Sequence, residues 1–169
     1  MWEGSVESLH IVAEKSQPMA TVETIRAVPG RGLEGDRYAN GTGTYSNKPE
    51  EGRQVTLFEQ ETLEALRRDH GITLEPRETR RNVITRGVPL NHLVGWRFLV
   101  GGVLLEGMRL NAPCRYLEDL LGIKGLFKAL IHRSGLNCRI LTEGEIRVRD
   151  TVRPVEGLAV HSMRVVHRG

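Results

Sequence analysis

A chain of 169 residues, 39% hydrophobic and 27% charged, is long enough to bury one real core and has an ordinary globular composition. Aromatics at 5% argue against stacking on single-stranded nucleic acid, and a net charge of +3, carried by arginine more than lysine, suits a local anion site rather than a surface that coats a polyanion. With no apolar run of membrane-spanning length, no basic-then-apolar leader and only 2 cysteines, the expectation is a cytoplasmic protein with neither membrane nor nucleic-acid partners.

Residues 6–12 and 22–28 are rich in β-branched side chains and predict two strands, joined by a polar turn over 14–19. Gly30, Gly32 and Gly35 then fall within six residues, which implies positive φ or close backbone approach. Asp36 can orient Arg37, whose guanidinium suits a phosphate or carboxylate. A plain connecting loop is the other reading of that stretch. Residues 40–52 are polar and aperiodic and predict a mobile surface loop able to act as a lid.

Residues 54–58 predict a strand and 59–70 a helix with Leu63 and Leu66 inward and Gly71 as its stop; Thr56 and Glu59 match a capping box. Four arginines follow, Arg77, Arg80, Arg81 and Arg86, around a strand at 82–85. Arg80, Arg81 and Asn82 make a dense donor set for gripping an anion, against the alternative of a solvated charged loop. Residues 87–95 are a glycine-bounded bend in which His92 is a surface or capping residue. A hairpin over 96–100 and 103–110 turns at Gly101-Gly102.

Pro113 ends that last strand, and Tyr116, Leu117, Leu120 and Leu121 recur at helical spacing up to Gly122. Cys114 therefore sits at a strand-to-helix switch, at a helix N-terminus, where a thiolate is favoured and can act as nucleophile or metal ligand. Arg109 and Arg115 flank it in sequence and push the same way where they come close in space. The other reading is a small buried residue. A second helix is predicted over about 126–133, with Leu126, Phe127, Leu130 and Ile131 as its apolar stripe. In the strand at 136–141, Leu136, Cys138 and Ile140 share one face and Asn137 and Arg139 the other, so Cys138 is a core residue. A turn at 143–145, then strands at 146–148, 150–152 and 158–166, complete the chain. Eight or nine short strands with two or three inserted short helices predict a mostly β fold, a closed or partly open barrel forming a single domain over residues 1–169.

Gly32-Leu33-Glu34-Gly35-Asp36-Arg37, Arg80-Arg81-Asn82-Val83-Ile84-Thr85-Arg86-Gly87-Val88, Asn111-Ala112-Pro113-Cys114 and His132-Arg133-Ser134-Gly135-Leu136, in this order, resemble the MOSC domain. That domain is the C-terminal part of molybdenum cofactor sulfurases and also occurs as stand-alone bacterial proteins. The resemblance spans about residues 6–152 and implies a compact mixed-strand β-barrel. It implies one functional cysteine, matching Cys114, that carries sulfur as a persulfide or ligates molybdenum. It implies arginine and asparagine side chains on the phosphate of the pterin cofactor, matching Arg37, Arg80, Arg81 and Asn82. Lys15 and Ser16 match a family Lys-Ser pair, and Arg133 lies in a block expected at the pocket rim. Two positions depart: Tyr38 stands where the family often has histidine, and Arg149 replaces a glycine, so Asp150 is not expected to form the usual tight turn.

Two functions follow from the resemblance. One is an enzyme that binds molybdenum cofactor (molybdopterin), with Cys114 as the metal ligand, reducing N-hydroxylated small molecules with electrons from a reductase partner. The other is a sulfur carrier holding a Cys114 persulfide, loaded by a cysteine desulfurase; the pyridoxal phosphate would belong to that partner, because this chain is too short to hold its domain. Readings from other classes are a thiol hydrolase with Cys114 as nucleophile and His132 as base, and a non-catalytic anion-binding β-barrel. Cys114, Cys138 and the scattered histidines lack the spacing of a zinc site.

Overall fold

The computed structural model describes residues 1–44, 46 and 51–155. Strands form where β-branched and apolar residues alternate between turn residues: β1 (Gly4–Ile11), β2 (Ala20–Val22), β3 (Thr24–Val28), β4 (Gly32–Leu33), β5 (Val55–Glu59), β6 (Val83–Arg86), β7 (Arg97–Val100), β8 (Val103–Leu110), β9 (Leu136–Ile140), β10 (Gly144–Arg147) and β11 (Thr151–Pro154). Three helices lie between them: α1 (Gln60–His70), α2 (Arg115–Leu121) and α3 (Leu126–Ala129).

Seven strands close into a ring in the order β1-β6-β5-β9-β8-β7-β11, shut by pairing of β11 with β1. Among the named strands of the described residues, only β5 and β6 pair in parallel, so the chain must cross over between them, and α1 supplies that crossover. β2 extends the ring beside β1, and β10-β3-β4 form a small separate sheet. The fold is thus the mixed-strand, mostly β barrel that the sequence predicts.

Side-chain parity defines two layers. Val55 and Leu57, Leu136 and Cys138, and Val103 and Leu105 point into the ring and pack with Leu9, Phe98 and Val152. Phe58 and Ile84 point outward and pack under the helices against Leu63, Leu66, Leu117, Leu126 and Leu130. The barrel interior is therefore solid, and any cavity must lie elsewhere. Between Gly107 and Arg109 the β8–β9 register slips by one residue, a β-bulge. Gly107 is required there, because a Cβ would stand 2.1 Å from the Leu93 carbonyl oxygen.

The structure corrects several details of the sequence reading. The strand at 22–28 is two strands, because the chain leaves β1 and joins the small sheet at Glu23. Eleven strands are present among the described residues rather than eight or nine, the surplus being pairings of two or three residues. The capping box does not form: Thr56 lies inside β5 with its hydroxyl donated to Asn82 Oδ1, and Glu59 stands at the helix start without a side-chain cap. The second helix stops at Ala129, and Ile131 is 43% exposed rather than part of an inward stripe. Asp150 does form a tight turn. Arg149 adopts φ 76° in the glycine's place, and the Arg147 N–H donates to Asp150 Oδ2 at 2.8 Å. The predicted strand at 158–166, and positions 45 and 47–50 of the polar loop, lie outside the described residues. No helix among the described residues is long and apolar enough to cross a membrane.

Candidate functional site

Cys114 occupies the N-cap position of α2, with extended backbone (φ −135°, ψ 155°), and Gly122 ends the helix in the left-handed region. Its thiol is half-buried and lines a cavity of about 220 Å³. The cavity lies between the outer wall of the barrel and the helices. Thr56 of β5, Asn137 of β9 and Arg109 of β8 form its floor, and Tyr116, Leu117, Leu126, Phe127 and Leu130 form its roof. The floor is one continuous row: Thr56 pairs with Asn137, and Asn137 pairs with Arg109.

Five arginines line this cavity, Arg37, Arg53, Arg80, Arg81 and Arg109, and among the described residues no carboxylate does. Arg37 has its counter-ion behind it. Its Nη1 donates to the buried Asp36 at 3.3 Å and its Nη2 to the Arg80 carbonyl at 3.1 Å. Arg80 follows a 3₁₀ turn over Pro76–Thr79, in the left-handed region at φ 63°, which swings its side chain inward. It is 7% exposed and donates to the Gln17 carbonyl. Burial, and then the Arg37 charge, pull the Arg80 guanidinium below its ordinary pKa. An arrangement of cations of this kind suits an anionic ligand.

Arg81 is a hub. Its Nε donates to the Ser134 carbonyl at 3.2 Å, and its Nη2 to Asn111 Oδ1 at 2.5 Å and Ser134 Oγ at 3.3 Å. It thereby ties the loop before Cys114 to the loop before β9. Gly135 makes that second loop possible, with φ 102° and no room for a Cβ, which would stand 2.2 Å from the Leu57 oxygen. Tyr116 Oη lies 2.5 Å from Ser16 Oγ. Burial pushes the Tyr116 phenol up, but hydrogen bonds with Ser16 and Thr44 and the charges of Arg80 and Arg37 outweigh it and leave it below its ordinary value.

The structure brings Cys114, Arg37, Arg80 and Arg81 together at one cavity. Asn82 lies beneath it. Its Oδ1 accepts from the Thr56 N–H and hydroxyl, and its Nδ2 donates to the His10 carbonyl at 3.1 Å, so the side chain bridges β1 and β5. Arg133 points to the other side of α3, with Nε on the Ala129 carbonyl at 2.8 Å and Nη1 3.7 Å from Asp69. Lys15 is exposed, and its backbone N–H donates to the Thr42 carbonyl. Neither Arg133 nor Lys15 lines the cavity. His132, the base considered for a hydrolase, is exposed and also outside it. Sequence reasoning did not single out Arg53, Asn111, Tyr116, Ser134 or Asn137 as cavity residues. Asn137 shares its strand face with the half-buried Arg139, so its parity marked it as outward but not as a cavity residue. Among the described residues no three His, Cys, Asp or Glu side chains group to hold a metal ion, so Cys114 is the soft donor available here.

A family model described as MOSC domain matches residues 40–153. Among solved structures, the YUAD protein from Bacillus subtilis superposes with a TM-score of 0.75 at 19% identity, covering 90% of this chain and 97% of that one. YiiM from Geobacillus stearothermophilus has a TM-score of 0.71 at 16% identity, covering 96% of this chain and 80% of that one. YiiM from Escherichia coli has a TM-score of 0.66 at 15% identity, covering 92% and 71%. At these identities the likeness is one of fold. No curated protein sequence matches the chain.

Proposed function

Because the chain belongs to the MOSC domain family, a family associated with molybdenum cofactor binding, we propose that it holds this cofactor in the Cys114 cavity and reduces an N-hydroxylated small molecule there. One observation carries the reading: a half-buried thiol and five arginines line the same cavity, with no carboxylate among its described lining residues.

The donor set suits the group. A thiolate is a soft ligand matched to a soft, sulfur-ligated metal, and guanidinium forks bind a phosphate bidentately. The cavity of about 220 Å³ is smaller than typical small-molecule pockets of roughly 300–1,000 Å³. A neighbouring groove of about 510 Å³ shares Arg80 with it and provides further room at its edge. When bound, the cofactor supplies two-electron redox chemistry at the metal.

The chain's own residues supply the rest. Cys114 offers its Sγ as metal ligand. Arg37 and Arg80 hold the phosphate, and Arg81 fixes the loop that carries Cys114. Leu117, Leu126, Phe127 and Leu130 keep water from one side of the cavity. Tyr116, two residues beyond Cys114, holds a proton at Oη within the same cavity. Reducing an N–OH group to N–H consumes two electrons and two protons and releases water. The electrons come from a partner reductase in this reading.

The test is the molybdenum and pterin content of protein made in a host that assembles the cofactor, beside the Cys114→Ser variant. An extra reducible sulfur on Cys114 in place of metal would replace this reading with sulfur carriage loaded by a desulfurase.

A further inference from the structure

Three polar side chains form a relay whose direction is forced at one end. Arg81 Nη2 lies 2.5 Å from Asn111 Oδ1. A guanidinium has donors only, so Asn111 must turn its oxygen toward Arg81. Its Nδ2 then donates to Asn137 Oδ1 at 2.8 Å. The Asn137 oxygen is thereby committed, and its NH₂ is the end of the amide left to face away from Asn111. Asn137 is 2% exposed and lines the cavity. The bond from Asn111 is its only side-chain hydrogen bond among the described residues. Because Asn137 lines the cavity, this NH₂ is placed to donate to an acceptor on a ligand there. Across the strand pair its partner is Arg109, which also carries donors only.

We propose that Asn137 is a ligand-contacting hydrogen-bond donor on the cavity floor, its polarity set by Arg81 through Asn111, and that it selects a fully deprotonated oxygen of the ligand. The proposal rests on the reading of this cavity as a phosphate-bearing cofactor's site and adds to it a residue and a rule. Arg81, Arg109 and the Asn137 NH₂ line the same cavity, and these three groups offer donors only. A group that must itself donate a proton, such as a protonated phosphate or an amine, finds no acceptor from these three residues. A phosphate dianion does.

The probe is inorganic phosphate, titrated into ¹⁵N-labelled protein and followed at the Asn137 side-chain NH₂ and the Arg81 and Arg109 Nε–H resonances. The expected result is a saturable shift of the Asn137 NH₂ together with the arginines. Asn111→Asp then tests the relay without touching Asn137. With an oxygen facing it, Asn137 must turn its NH₂ toward position 111, so phosphate should still move the arginines but no longer the Asn137 NH₂. Asn137→Asp should lower phosphate affinity at least tenfold. Arginine shifts with an unmoved Asn137 NH₂ in the natural protein would overturn the proposal and leave the cofactor reading standing. A full Asn137 response in Asn111→Asp would overturn the relay. No response from any of these groups would overturn both.

Discussion

Arg109 and Asn137 face each other across β8 and β9 because the chain bulges between Gly107 and Arg109. Before the bulge, Val103 and Leu105 point into the barrel. Strict alternation would send residue 109 the same way, a buried charge in an apolar core. The extra residue shifts the parity and delivers the guanidinium to the outer wall beneath the helices. One irregularity in one strand thus places a cation beside Asn137 in the Cys114 cavity.

The two cysteines separate cleanly. Cys138 is 0% exposed inside the barrel, and burial, then the Glu106 charge, push its thiol well above the ordinary range. Cys138→Ser buries a hydroxyl among apolar side chains and is expected to cost about 1–3 kcal/mol by chemical denaturation. Cys114→Ser, half-buried at a helix start, should change stability by under about 0.5 kcal/mol while abolishing cofactor retention.

Arg80 and Arg81 should behave differently although adjacent. Arg81→Ala removes the ties to Ser134 and Asn111, so it should lose about 1–3 kcal/mol of stability as well as anion affinity. Arg80→Ala removes a cation already pulled below its ordinary pKa by burial and Arg37. It should weaken phosphate binding about tenfold or more, with a smaller change in melting temperature. Calorimetric titration beside thermal denaturation of both variants checks this, and equal effects on both measures would contradict it.

Gly135 tests the backbone of the site. An alanine there must hold φ near 102° with its Cβ 2.2 Å from the Leu57 oxygen. Gly135→Ala should lose roughly 3 kcal/mol or more, or fail to fold, whereas Gly122→Ala, at φ 65° with open space around it, should lose only about 1 kcal/mol. Denaturation midpoints of the pair decide the matter.

Stability against pH carries two opposing groups. His10 lies buried between Ser8 and Thr21, and burial, then the Arg77 charge, lower it from 6.5 to about 4. The unfolded chain binds the extra proton in that interval, so the contribution of His10 is fully present above pH 6.5 and is lost as pH falls toward 4. Burial, then Glu61, raise Glu59 from 4.5 to about 7. Here the folded chain binds the extra proton, so the contribution is present below pH 4.5 and is lost as pH rises through 7. The two slopes oppose each other between pH 4.5 and 6.5. In urea titrations across that window, Glu59→Gln should gain stability with rising pH more steeply than the natural protein, and His10→Asn should lose it. Unchanged slopes in both variants would contradict these assignments.

Much of the architecture was legible because it is local. The hairpin turning at Gly101-Gly102, the stop of α1 at Gly71, the inward parity of Cys138 and the position of Cys114 at the start of α2 all follow from period and punctuation. The cavity was legible only in part. Arg80 and Arg81 look in sequence like a solvated charge run, and it is a 3₁₀ turn with a left-handed residue that turns them inward. Asn82 looks like one more donor beside them, yet it satisfies strands from residues 26 and 72 positions away. Arg53 joins the site from a short 3₁₀ turn and Asn137 through its pairings with Thr56 and Arg109, long-range placements that no local pattern encodes, and the bulge that redirects Arg109 has no signature beyond a single glycine.

The most direct measurement is molybdenum and pterin per chain in protein produced in a host that assembles the cofactor, compared with Cys114→Ser. The account predicts close to one molybdenum and one pterin per chain, with the metal lost in the variant while the barrel stays folded. Full metal retention in Cys114→Ser, or no metal and no pterin in the natural protein, would contradict it.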